Sequence, residues 1–237
     1  MLIFLTLSIL ASSFKIQPVE ASGTITIRSD GSIYPDTAPI SSVDNVTYTF
    51  TDNITDYIVV LRENIVIDGA GYTLKCPELE PYGYGFELLE ICNVTIKNTN
   101  IKGFWQGIYI GSAHYNLILG NNITNNDNGI YLQSTHGEII SGNNIEDNNN
   151  VGIYLGFAST GCIINKNNIA RNCYGISIGA YADNNEIFHN NFIDNSQQVY
   201  IEVHGYANFW DDGYPSGGNY WSNYTGVDLC SGPYQNE

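Results

Sequence analysis

The chain has 237 residues, with 24 acidic against 8 basic side chains, a net charge of -16 and a pI near 4.3. Proteins that hold nucleic acid or an anionic lipid surface use Lys and Arg to displace counterions, so this balance excludes both as partners. The 30 Asn and 24 Gly make nearly a quarter of the chain, but 31 Ile and 18 Tyr stand beside them: the sequence is dense in turns and still has the β-branched and aromatic surface of a core.

From the N-terminus, residues 2–14 form an apolar run too short to span a bilayer comfortably, followed by Val19-Glu20-Ala21, a small-x-small pattern. This predicts a signal peptide over residues 1–21 and an exported protein, either secreted, periplasmic or on the cell surface. Lys15 follows the run instead of preceding it, which leaves open a leader that starts further upstream; a buried strand or an uncleaved anchor are the alternatives. No later segment is long and apolar enough to span a membrane.

Residues 22–63 are expected to form an N-terminal β cap and first coil, residues 64–203 a repeat, and residues 204–237 a closing block. In the repeat, Gly107-Ile108-Tyr109-Ile110 recurs from Gly129, Gly152 and Gly175, and more loosely from Gln198, at spacings of 22, 23, 23 and 23 residues. Asn121-Asn122-Ile123 keeps nearly the same beat from Asn143, Asn167 and Asn190, and a third apolar block begins at Leu117, Ile139, Ile163 and Glu186. Each period thus holds three short β-prone pieces separated by Asn/Gly turns, without helical periodicity.

Three such strands cannot bury a face alone. Coiling the chain and stacking each turn on the last satisfies every backbone group through parallel ladders. The expected fold is therefore all-β, a right-handed parallel β-helix of about six or seven coils, a rod on the order of 30 Å long. Period-two alternation points Ile108, Ile130, Ile153, Ile176 and Val199 inward, with Ile110, Leu132, Leu155, Ile178 and Ile201. Asn122, Asn144, Asn168 and Asn191 are expected to form an asparagine ladder at a bend.

Five cysteines in an exported chain allow two disulfides and leave one over, and none is spaced CxxC. Cys76 with Cys92 would tie down the stretch Pro77–Ile91, and Cys162 with Cys173 is a second pairing; all five free and buried is the alternative.

The segments Ile27–Ile33, Ala38-Pro39-Ile40, Tyr48–Thr51, Ile58–Arg62 and Asn64–Leu74 resemble the opening of NosD-like parallel β-helix proteins, especially secreted archaeal ones. The closing block Asn208–Asp228, with its FWDDGYPSGGNYWSNY run, resembles the sequence that ends the helix in those proteins. The resemblance implies the β-helix class shared by carbohydrate-binding proteins and sugar hydrolases. It also implies a copper association, and further acidic, Gly-rich sequence beyond the closing block, which would make this chain a piece of a longer protein.

Several constellations carry chemistry. Tyr109, Tyr131, Tyr154 and Tyr200 share the column between the two inward residues of each coil, broken by Ser177, and alternation turns them outward. Stacked phenols bind sugar rings through apolar CH faces and hydroxyl hydrogen bonds, or else stiffen the sheet. Asn125, Asp147, Arg171 and Asp194 share another column, readable as a lyase site or as a surface charge ladder. A hydrolase would need two carboxylates across a cleft, and the adjacent Asp211 and Asp212 suit that poorly.

Copper takes His, Met or thiolate. Met1 lies in the leader, and of His114, His136, His189 and His204 the first two follow their glycines by seven residues, which places them in neighbouring coils as a candidate pair. Asp211, Asp212 and Asp228 are candidate calcium ligands, or capping turns. Asn45, Asn53, Asn93, Asn122 and Asn223 begin Asn-x-Thr sequons, and with Asn122 committed to the ladder the other four are the better glycosylation candidates. Trp210, Tyr214, Tyr220, Trp221 and Tyr224 are expected to cap the open end of the coil.

These features favour an exported, non-catalytic polysaccharide-binding or cell-envelope surface module, a monomer or part of a larger surface protein, with no certain cofactor. The alternatives are a polysaccharide lyase or hydrolase, and a periplasmic copper-binding accessory protein.

Overall fold

The computed structural model of the chain describes residues 23–77, 83–202, 207–213 and 216–226; the signal-peptide segment, His204, Tyr214, Asp228 and Cys230 lie outside them. Its strands fall into three sheets of nine, eight and eight, and successive coils contribute one strand to each. Throughout the repeat the pairing is parallel, coil on coil. It is antiparallel only near the N-terminal end, where Ile33–Tyr34 folds against Ile25–Ile27 and Ile40–Ser41 against Thr47–Phe50. These short antiparallel pieces occupy edges that would otherwise offer unpaired N–H and C=O groups to another chain. The chain is a right-handed parallel β-helix.

The register follows the repeat. In the nine-stranded sheet, here the broad face, Ile108, Ile130, Ile153 and Ile176 pair in sequence, and Ile110, Leu132, Leu155 and Ile178 form the next line. All eight are fully buried in one continuous core, each contributing roughly 1.5–3 kcal/mol. The lines end at the last coil, where Val199 is half-buried and Ile201 is exposed. These two were expected inward; they lie on the edge strand of the sheet, with no further strand of the broad face beyond them among the described residues.

The recurrent glycine has a steric cause. A Cβ on Gly107, Gly129, Gly152 or Gly175 would stand 2.5–2.7 Å from the carbonyl oxygen of the residue stacked on it in the next coil. Only glycine lets the coils approach to ladder distance there.

Corners account for the asparagines. Each bend contains a left-handed residue, as at Asn98, Gly120, Gly142, Lys166 and His189, with φ between 53° and 66°, a conformation Gly and Asn adopt most readily. The next residue turns its side chain inward. Asn121, Asn143, Asn167 and Asn190 are buried there, and each N–H and side-chain amide donates to the Oδ1 of the corresponding Asn one coil on, at 2.9–3.1 Å, ending at Asn219. A second buried line runs Asn126, Asn148, Asn172, Asn195. A third runs Asn116, Glu138, Cys162, Asn185, Asn208, with Glu138 and Cys162 as departures.

Of the expected ladder at Asn122, Asn144, Asn168 and Asn191, the first three form an outer, half-buried row, linked at 2.8–3.3 Å and beginning at Asn100, whereas Asn191 is exposed. The heavier row lies one residue earlier.

Cys92, Cys162 and Cys173 are free thiols, so the expected Cys76–Cys92 bridge is not formed. Cys76 stands before the broad-face strand Tyr84–Leu89 and Cys92 after it. Six extended residues span about 20 Å, against a limit of about 7 Å between bridged Cα atoms. Cys162 and Cys173 are likewise separated by the strands Ile163–Asn165 and Asn168–Ala170.

Candidate functional site

The broad face carries the aromatic column. Tyr109, Tyr131 and Tyr154 pair in register on adjacent strands, their side chains outward and half-buried. Ring centroids are 6.0 Å apart for Tyr109–Tyr131 and 4.5 Å for Tyr131–Tyr154. The stack continues past the expected column, because Tyr84 leans onto Tyr109 at 4.7 Å and Trp105 onto Tyr84 at 5.9 Å. Tyr200 does not join it: Ser177 occupies the intervening rung, and Tyr200 pairs with Tyr174 at 5.0 Å.

Ser177 therefore marks a break in relief. A phenol is missing between Tyr154 and Tyr200, and a groove of about 360 Å³ lies over this part of the face. Tyr131, Tyr154, Ser177 and Tyr200 come from the column itself. Along the neighbouring corner stand Trp105, Gln106, Asp127, Asn128, Asn150, Val151 and Tyr174, and Glu202 closes the far end.

The Tyr154 hydroxyl donates to Glu202 Oε2 at 3.1 Å. Burial first, then the negative charge of Glu202, hold the Tyr131 and Tyr154 phenols above their ordinary pKa, so both stay protonated donors. Asp127 accepts from the side-chain amide of Asn128 at 3.2 Å, and Asn150 donates to Asn128 at 3.0 Å. The groove thus offers aromatic faces in a row with amides, hydroxyls and two carboxylates beside them.

The lyase column proves to be a bend. Asn125, Asp147, Arg171 and Asp194 have φ between 52° and 56°, so the position is set by left-handed backbone. Arg171 holds Asp147 through two bonds of 2.8 Å and Glu146 through one of 2.6 Å, while Asp194 accepts from Ser222. This is a charge ladder, and it lies outside the groove.

His114 and His136 do come together, in neighbouring coils with ring centroids 6.3 Å apart, and Tyr115 packs against both. His136 Nδ1 is engaged with Thr160 Oγ1 at 3.2 Å. The nearby Cys162 is buried, and its thiol is pushed up to about 12 by burial, so it offers no thiolate. No group of three His, Cys, Asp or Glu suited to a metal occurs among the described residues. Two imidazoles without a soft third donor do not fit a copper centre.

In the closing block Asp211 accepts from the Gly213 N–H at 3.0 Å, whereas Asp212 faces His189 Nε2 at 3.6 Å. Their candidate calcium partner Asp228 lies outside the described residues.

Against known proteins, the family model described as periplasmic copper-binding protein (NosD) matches residues 16–226. No curated protein matches the chain. Among solved structures, a crystal structure of a double mutant of the periplasmic alginate epimerase AlgG is similar, with a TM-score of 0.52 and 20% identity. That likeness covers 62% of this chain and 35% of the epimerase, and at this identity it is a likeness of fold.

Proposed function

The chain belongs to the NosD family, and from that premise and the geometry of the broad face we propose that it is an exported, non-catalytic β-helix protein whose tyrosine strip binds polysaccharide. The observation that carries the reading is the coil-on-coil stack of Tyr109, Tyr131 and Tyr154 beside a groove of about 360 Å³. A row of aromatic faces receives the CH surfaces of successive sugar rings, while the protonated phenols and neighbouring amides exchange hydrogen bonds with ring hydroxyls. Export is supported by the word periplasmic, which the family description and the epimerase's title both carry.

The absence of turnover is supported by Arg171. A lyase needs a basic group free to take a proton, and this one is clamped by Glu146 and Asp147 away from the groove. The polymer would be a cell-envelope or extracellular glycan. The histidine pair does not supply a fitting set of donors for copper.

A glycan array with product detection tests both halves. Wild type retains a polysaccharide, and Tyr131→Ala/Tyr154→Ala loses at least tenfold in affinity while its circular dichroism is unchanged. Binding that survives the double change overturns the strip as the site; release of unsaturated or reducing ends overturns the absence of catalysis.

A further inference from the structure

The groove says more about its ligand than that it is a sugar. Its lining includes two carboxylates, Asp127 and Glu202, and no Lys, Arg or His among the described residues. Gln106, only 3% exposed, lines it too, and its Oε1 has no hydrogen-bond partner. A buried acceptor left unpaired costs on the order of a hydrogen bond until a donor reaches it. One unpaired buried acceptor and two carboxylates around one groove ask for a ligand rich in N–H donors and positive charge.

We infer, resting on the polysaccharide reading above, that the groove selects glycans containing amino-sugar residues, whose protonated amines meet Asp127 and Glu202 while their ring faces lie on the tyrosines. The same residues reject polyuronates. A uronate would bring its carboxylate beside Asp127 and Glu202 with no cation in the lining to receive it, on a chain whose net charge is -16. In fold this protein resembles an alginate epimerase, and in the charge of its groove it is unsuited to a polyanion.

Affinities for four oligosaccharides of equal length test this by calorimetry: a β-1,4-linked glucosamine oligomer, its N-acetylated form, a β-1,4-glucose oligomer and an oligogalacturonate. The amine form is expected to bind roughly tenfold tighter than the two uncharged forms, as suits a charge-assisted hydrogen bond, and the uronate not measurably. The preference should shrink between about 0.1 M and about 1 M salt as the screening length falls from about 10 Å to about 3 Å. In Asp127→Asn/Glu202→Gln the ratio of amine to N-acetyl affinity should fall toward one.

An unchanged ratio in that variant overturns the inference, because it would show only the attraction of a polycation to an acidic protein. Tighter binding of the uronate, or equal binding of amine and neutral forms, also overturns it and leaves the polysaccharide reading standing. Failure of all four oligomers to bind overturns both.

Discussion

Asn143 accepts from the N–H and the side-chain amide of Asn121, and its own amide donates to Ile118 O and to Asn167. Its neighbour Asn144 makes only amide links to Asn122 and from Asn168, half in water. Asn143→Ala should therefore cost roughly 2–4 kcal/mol by leaving buried backbone groups unpaired, and Asn144→Ala less than about 1 kcal/mol, read as urea midpoints. Equal losses would contradict the assignment of inner and outer rows. The sequence displays both asparagines of each pair with equal clarity. What the sequence does not display is that the left-handed residue before the pair resets which side chain turns inward, so that the first asparagine of each pair is the buried one.

Glu138 stands where the third ladder has asparagine. Its Oε2 accepts from the Asn116 N–H, its Oε1 has no partner, and burial raises its pKa from 4.5 to about 8. An acid with a raised folded pKa favours the folded state below its unfolded pKa, and that contribution is lost as pH rises through the folded one. Stability should thus decline from about pH 4.5 to about pH 8. Glu138→Gln removes the decline, and should exceed wild type at pH 9 by a few kcal/mol while matching it near pH 4, by thermal melting across pH. Parallel curves for the two proteins would refute this.

At the scale of the strand, the repeat block G-I-Y-I already contains the architecture. Its glycine permits the close approach, its two isoleucines form buried lines, and its tyrosine forms the outward column, all found in the expected register. Tyr84, Trp105 and Tyr174 were not legible as members of the site. Tyr84 pairs with Gln106 and Tyr174 with Val151, in positions just before the block where residue type changes from coil to coil, and their rings reach the strip only by leaning across it. The histidine pair was legible because both members hold one position in successive coils. That Cys76 and Cys92 are not bridged was not legible, since distance along the sequence hides which corner of the coil a cysteine occupies.

For the whole molecule, the ends decide whether the rod stays single. The closing block lays Trp221 on Phe192, ring centroids 4.4 Å apart and nearly parallel, and pairs Tyr220–Trp221 with the last strand of the third sheet. Phe192 is fully buried beneath it. Trp221→Ala should uncover Phe192 and that strand edge, cost roughly 2–3 kcal/mol, and produce concentration-dependent association in light scattering. A variant that remains monomeric with wild-type stability would show that other parts of the block do the capping.

The stacking of tyrosines coil upon coil also gives the molecule a measure of length. Each coil adds a rung of about 4.8 Å to the strip along the rod axis, so under the proposed function the number of sugar units in contact would be set by how many coils carry an aromatic ring in that column. Ser177 interrupts the scale after Tyr154, and under the same proposal short and long polymers would differ in whether they reach past that gap to Tyr200. Duplicating one period would extend the scale without disturbing any ladder, which makes the reach of this protein a property of its repeat count.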